Sequence, residues 1–194
     1  MLKKILIILA GACFVSCQVH KPALRPEAGP NFRSLSIKFH FQDGAARQNG
    51  RVLWRFDERL AKFLFFSPLN QVGMELAVDS EDAVLVNHGK KAFWSGDFSL
   101  LLDRIWGIAM AHADLKSLIA GNGTTPAGFA DRGITVALER AAGGGALETV
   151  RLRRGAAVLS LRILKDELRP GAIVLVDYAE RYRPLDLESV LDDD

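Results

Sequence analysis

The chain has 194 residues, a formal net charge of +2 at neutral pH and a hydrophobic content of 49%. That much apolar sequence excludes disorder over most of the length, and the near-neutral balance gives no case for nucleic acid or an anionic membrane surface as partner. Cys13 and Cys17 are the two cysteines, so the body of the chain has neither disulfides nor thiolate metal sites.

Met1-Leu2-Lys3-Lys4 is a short basic segment, residues 5–12 are almost wholly apolar, and Phe14-Val15-Ser16-Cys17 follows. The apolar run is far shorter than the ~20 residues that span a bilayer, so residues 1–16 read as a secretory leader. The segment resembles a bacterial lipoprotein signal, in which the cysteine at the cleavage point becomes the acylated first residue. Cys17 is the expected lipid anchor. Cys13, after Ala10-Gly11-Ala12, is its rival, and an ordinary signal with two incidental cysteines is a third reading. Gln18, where an aspartate would signal retention in the inner membrane, directs the expectation to the outer membrane. Removal of Lys3 and Lys4 brings the net charge to about 0 and leaves about 175 residues, enough for one domain with a sizeable core.

Residues 17–31 contain Pro22, Pro26 and Pro30 among mixed charges and read as an extended tether before a domain at 32–191. Leu35, Ile37, Phe39 and Phe41 alternate with Ser36, Lys38, His40 and Gln42, a strand with one apolar face. Residues 43–50, from Asp43-Gly44 to Asn49-Gly50, are expected to turn. Val52, Trp54 and Phe56 alternate with Arg51, Arg55 and Asp57 in a second strand, closed by a turn at Asp57-Glu58-Arg59. Residues 62–66 form an apolar, aromatic strand. Val72, Met74, Leu76 and Val78 alternate with Gly73, Glu75, Ala77 and Asp79, the period of a strand with one wet face. Between these two, Ser67-Pro68-Leu69-Asn70 has turn chemistry, since proline presets φ and asparagine tolerates unusual backbone angles. Leu69 at the tip either folds back onto its own hairpin or meets an apolar partner. Short strands at 83–87 and 90–94, joined by His88-Gly89, complete six strands with short turns, an antiparallel meander.

At Ser95 the period changes. Asp97 is expected to cap a helix in which Phe98, Leu101, Leu102, Ile105 and Trp106 form one apolar stripe. A second helix runs from an Asp114 cap through Leu115, Leu118 and Ile119 to a stop at Gly121. Residues 121–133 read as a flexible polar loop. Strands follow at 134–138, 147–153 and 157–164, with a turn at Gly143-Gly144-Gly145. Arg169-Pro170-Gly171 is expected to turn the chain into a strand at 173–178. A last segment near 182–190, with Pro184, reads as an edge, and residues 192–194 as a solvated acidic tail. Strands, two one-sided helices and strands again define the expected fold class: mostly β with α, a curved antiparallel sheet or incomplete β-barrel covered by two or more helices.

Catalytic motifs are absent: no G-x-S-x-G, H-E-x-x-H or G-x-x-x-x-G-K-S/T occurs. His20, His40, His88 and His112 are scattered over tether, strand, turn and helix junction and read as surface residues. Asp57-Glu58 reads as a solvated turn, and the glycines at 121–123 and 143–145 as turn glycines rather than phosphate loops. The expectation is a protein without catalysis, cofactor, metal or nucleic acid.

The chain resembles the LolB family, the outer-membrane lipoprotein receptors of the LolA/LolB superfamily. The similarity covers roughly residues 51–121 and, more weakly, the C-terminal strands. It rests on the order of the apolar strand, the Ser67-Pro68-Leu69-Asn70 turn, the Met74-Glu75-Leu76 strand and the helices at 98–106 and 115–119. The family's turn reads Asn-Pro-Leu-Gly. Pro68 and Leu69 match it, while Ser67 and Asn70 depart, and the C-terminal part is abbreviated. The resemblance implies an incomplete barrel with a helical lid, an apolar cavity for acyl chains, and a protruding membrane-insertion loop at Pro68 and Leu69. It implies acylated lipoproteins as cargo, a LolA-like periplasmic carrier as donor and the outer membrane as acceptor, with a lipid-anchored monomer on the periplasmic face. The candidate cavity lining is Phe39, Phe41, Trp54, Phe56, Met74, Leu76, Leu101, Ile105 and Trp106, each with ordinary core as the alternative. Two further readings stay open: a lipid-anchored accessory envelope protein with a filled core, and a hydrolase with an unrecognised site.

Overall fold

The computed structural model describes residues 30–120, 125–142 and 145–191. The leader, Cys13, Cys17, the tether up to residue 29, the expected helix stop at Gly121 with residues 122–124, Gly143-Gly144 and the acidic tail lie outside the described residues. The first half of the chain forms strands β1 (Asn31–Asp43), β2 (Ala46–Phe56), β3 (Leu60–Phe66), β4 (Val72–Asp79), β5 (Asp82–Asn87) and β6 (Ala92–Asp97). Helices α1 (Phe98–Trp106) and α2 (His112–Ala120) follow. The second half forms β7 (Ile134–Arg140), β8 (Leu147–Arg154), β9 (Ala157–Pro170), β10 (Arg183–Pro184) and α3 (Leu187–Leu191). The strands make one open sheet, in the order β10-β6-β5-β4-β3-β2-β1-β9-β8-β7. The β10–β6 pairing is parallel; the others are antiparallel.

Alternation decides which face carries the core. Leu35, Ile37 and Phe41 of β1, Val52, Trp54 and Phe56 of β2, and Ala61 and Phe63 of β3 are buried on one face. The ring of Trp54 stacks on that of Phe63 at 5.0 Å between centroids and 12° between planes. Burial of each such aromatic is worth about 1.5–3 kcal/mol, and the helices complete it. α1 starts where the Asp97 carboxylate accepts the Leu100 N–H at 2.8 Å and stops at Gly107, whose φ of 64° carries the chain into the left-handed region. Its residues Phe98, Leu101, Leu102 and Trp106 are buried.

Several expectations are corrected. The β1–β2 turn is tight, with Asp43 paired to Ala46, so Asn49-Gly50 lies inside β2. Gly50 is there because the Phe39 ring lies where its side chain would be. α2 begins at His112, so Asp114 sits in its first turn rather than at its cap. The stretch before β7 is not simply polar, because Phe129 is fully buried. β9 runs on to Pro170, and residues 173–178 form no strand. They lie instead over the outer face of the sheet, where Lys62 Nζ donates to the Val174 carbonyl at 3.3 Å. Glu75 is accordingly 5% exposed rather than wet. His112 is buried, not on the surface. The last segment is an edge at β10, as expected, but it continues into α3, whose Val190 is fully buried. Arg104 of α1 pairs with Glu188 of α3 at 2.8 Å.

Candidate functional site

Two features of the β3–β4 hairpin stand out: an apolar pocket at its base and an exposed tip. The pocket lies between the sheet and the helices. β3 contributes Phe63 and Phe65, β4 contributes Leu76, and the roof comes from Phe98, Leu102 and Trp106 of α1 with Leu115 and Ile119 of α2. Every lining residue is apolar. Its volume is about 30 Å³, room for little more than a single water molecule.

Of the expected cavity residues, Phe39, Trp54, Leu76 and Trp106 line this pocket. Phe41, Phe56 and Leu101 are buried in the core without lining it, and Met74 and Ile105 are half-buried against that core. The sequence reading missed Phe63 and Phe65. Their signal was the charge of Lys62, which points to the outer face and leaves the odd positions of β3 inward. It also passed over Phe98 and Leu102 of the recognised stripe, and Leu115 and Ile119, which share a face at four-residue spacing.

Beside the pocket sits His112, the first residue of α2, 3% exposed. Its ring lies 6.0 Å from Trp54, 6.3 Å from Phe63 and 5.5 Å from Phe98, centroid to centroid. Burial, with a smaller push from Lys116, lowers its pKa to about 4, so the imidazole is neutral at neutral pH. Its Nε2, and the indole N–H groups of Trp54 and Trp106, are buried without a hydrogen-bond partner.

The tip is Ser67-Pro68-Leu69-Asn70. The Asn70 N–H donates to the Ser67 carbonyl at 2.9 Å, and the Ser67 N–H donates to the Gln71 carbonyl at 2.8 Å. Asn70 has φ of 61°, the left-handed conformation that glycine takes readily and asparagine tolerates. The turn therefore closes without a glycine. Pro68 is exposed, and Leu69 is 81% exposed and does not fold back onto its hairpin.

Among the described residues, no group of three or more His, Cys, Asp or Glu could hold a metal ion, and no helix is long and apolar enough to cross a membrane. Compared with models of known protein families and with curated proteins, the chain matches none.

Proposed function

We propose that the protein is a LolB-like, lipid-anchored receptor of the outer membrane. It takes an acylated lipoprotein from a periplasmic carrier into the space between sheet and helices and passes it to the bilayer, without catalysis. One observation carries this reading: the hairpin that supplies Phe63, Phe65 and Leu76 to an all-apolar pocket ends in a leucine that is 81% exposed. An exposed leucine forgoes about 1.5–3 kcal/mol that burial would give. Here it caps two of the strands that wall the pocket.

In this reading the open sheet is an incomplete barrel and α1 and α2 are its lid. A pocket of about 30 Å³ admits an acyl chain only when the helices lift from the sheet. Each methylene then buried contributes about 0.8 kcal/mol, so modest differences in acyl contact between carrier, receptor and bilayer set the direction of transfer. Cys17 holds the protein to the membrane.

The same small volume favours a second reading, an anchored accessory protein with a filled core. Native mass spectrometry of the purified protein, before and after incubation with a diacylated lipopeptide, separates the two. The receptor carries lipid or lipopeptide mass in at least one of these samples. A protein that stays bare in both is the accessory protein.

A further inference from the structure

We propose that the outer face of the sheet beside the Leu69 hairpin is a docking surface for an anionic phospholipid bilayer, built on a row of three cations. The proposal deepens the receptor reading and rests on it for the direction in which Leu69 points.

The row follows from strand register. Lys38 of β1 stands opposite Arg51 of β2 on one side and opposite Arg162 of β9 on the other. Directly opposed residues have Cβ atoms about 4.5–5.5 Å apart, and like charges in that position are destabilising. Several other cations in and beside the sheet are neutralised: Arg33 pairs with Asp166 at 2.5 Å, Arg59 with Asp79 at 2.6 Å and Lys62 with Glu75 at 2.7 Å. Among the described residues, no carboxylate lies within ion-pair distance of Lys38, Arg51 or Arg162. The three line a shallow groove of about 550 Å³ that includes His40, Phe66 and Pro68 and no acidic side chain. The net charge of +2 conceals this row because carboxylates elsewhere balance it.

The row is joined to the tip. Arg51 Nη1 donates to Asn70 Oδ1 at 3.4 Å, and Arg51 is paired with Phe66, the last residue of β3. Leu69 lies three residues farther on, at the tip of the turn closed by the Asn70 N–H on the Ser67 carbonyl. Interfacial elements bury their apolar side about 5–10 Å into the boundary between headgroups and acyl chains. With Leu69 in the acyl region, the adjoining row faces the headgroup phosphates. Guanidinium groups grip phosphate through two parallel hydrogen bonds and an ammonium adds a point charge. An acidic protein face would satisfy the cations but has no use for the bare leucine beside them. The bilayer accounts for both.

The test is co-sedimentation of the full chain, produced unacylated, with vesicles of phosphatidylcholine or of equal parts phosphatidylcholine and phosphatidylglycerol. The parent is compared with the triple variant Lys38→Gln/Arg51→Gln/Arg162→Gln and with Lys38→Glu. The parent should prefer the anionic vesicles, and salt should weaken that preference. Each cation near the surface contributes roughly fivefold, so the triple variant should lose on the order of 100-fold of it. Basic residues outside the row are common to all three proteins and cancel. Lys38→Glu sets a carboxylate between two guanidinium groups, so it should keep or raise the melting temperature and still lose preference. That separates loss of docking from loss of fold. A triple variant with the parent's preference overturns the proposal, as does a parent indifferent to phosphatidylglycerol. Variants that bind both vesicles as the parent does but collect lipopeptide poorly from a carrier protein overturn it too, and make the row a protein contact. A parent that never binds lipopeptide yet shows row-dependent preference removes the receptor reading and supports this surface.

Discussion

Lys62 and Glu75 form an ion pair of 2.7 Å across β3 and β4, on the face of the sheet opposite the pocket. The C-terminal segment lies over them. It brings Tyr178, whose pKa is pushed up to about 12 by burial and then by the negative charge of Glu75. His88 Nε2 stands 4.0 Å from the second Glu75 oxygen. Lys62→Met would leave a buried carboxylate without its nearest cation and should cost about 3–5 kcal/mol. Lys62→Met/Glu75→Leu should recover most of that loss, because neither charge is then stranded. Denaturant unfolding of the two variants measures the difference; equal losses would show that the two side chains are not coupled.

His112 predicts the acid side of the stability curve. Folded, it takes up a proton only near pH 4; unfolded, it does so near its ordinary value of about 6.5. Between those values the unfolded chain binds more protons, so stability is complete above about pH 6.5 and falls as the pH drops toward 4. The loss should reach roughly 2–3 kcal/mol. His112→Leu, in a site walled by Trp54, Phe63 and Phe98, should flatten the curve between pH 7 and pH 5. Urea titrations at several pH values would reveal an unchanged slope, which would locate the acid sensitivity elsewhere.

Leu69→Glu should fold normally, costing at most about 1 kcal/mol, as surface changes do. It should still accept acylated cargo from a carrier but deliver it poorly to vesicles, because a carboxylate is costly in hydrocarbon. A thermal melt and the two transfer steps, followed separately, check this. Loss of both steps with a large fall in melting temperature would make Leu69 a structural residue.

Trp106 reports on the pocket. Its ring lies 6.0 Å from that of Phe39, with the two planes tilted at 51°. Binding of a fatty acid or lipopeptide under α1 should change the tryptophan emission, and Trp106→Phe should abolish most of that change. Constant emission at saturating ligand would place the acyl chain away from this helix.

Local signals were legible and long-range ones were not. The start of α1 at Asp97 was legible because a side-chain cap is written into the neighbouring residues. The β3–β4 hairpin was equally clear from its alternation and its Pro-Leu-Asn turn. α2 starts earlier than its own sequence suggests, because the His112 N–H is met at 3.3 Å by Glu81, a carboxylate from the end of another hairpin. Residues 173–178 have strand-like composition, yet Val174 is 69% exposed and only Ile173 is buried. Their place was set by Lys62, Glu75 and His88, far away in the chain. Most of the pocket lining was hidden for a related reason: alternation identified the apolar face of each strand, but which apolar residues meet beneath the helices depends on the helix positions.

The pairing of β1 with β9 runs from Asn31 opposite Pro170 to Gln42 opposite Val158, and it joins the two halves of the sheet. Among the described residues it is the most distant strand pairing, with five hairpins and two helices between its partners. Loop closure over such a span costs more entropy than a hairpin turn, and non-local pairing slows folding. Strands β1 to β6 can zip up in succession, each on the one before, while β1 waits with one edge bare. The rate at which this protein matures is therefore set by the arrival of β9, and until then the exposed rim of β1 is where two nascent chains would adhere to each other.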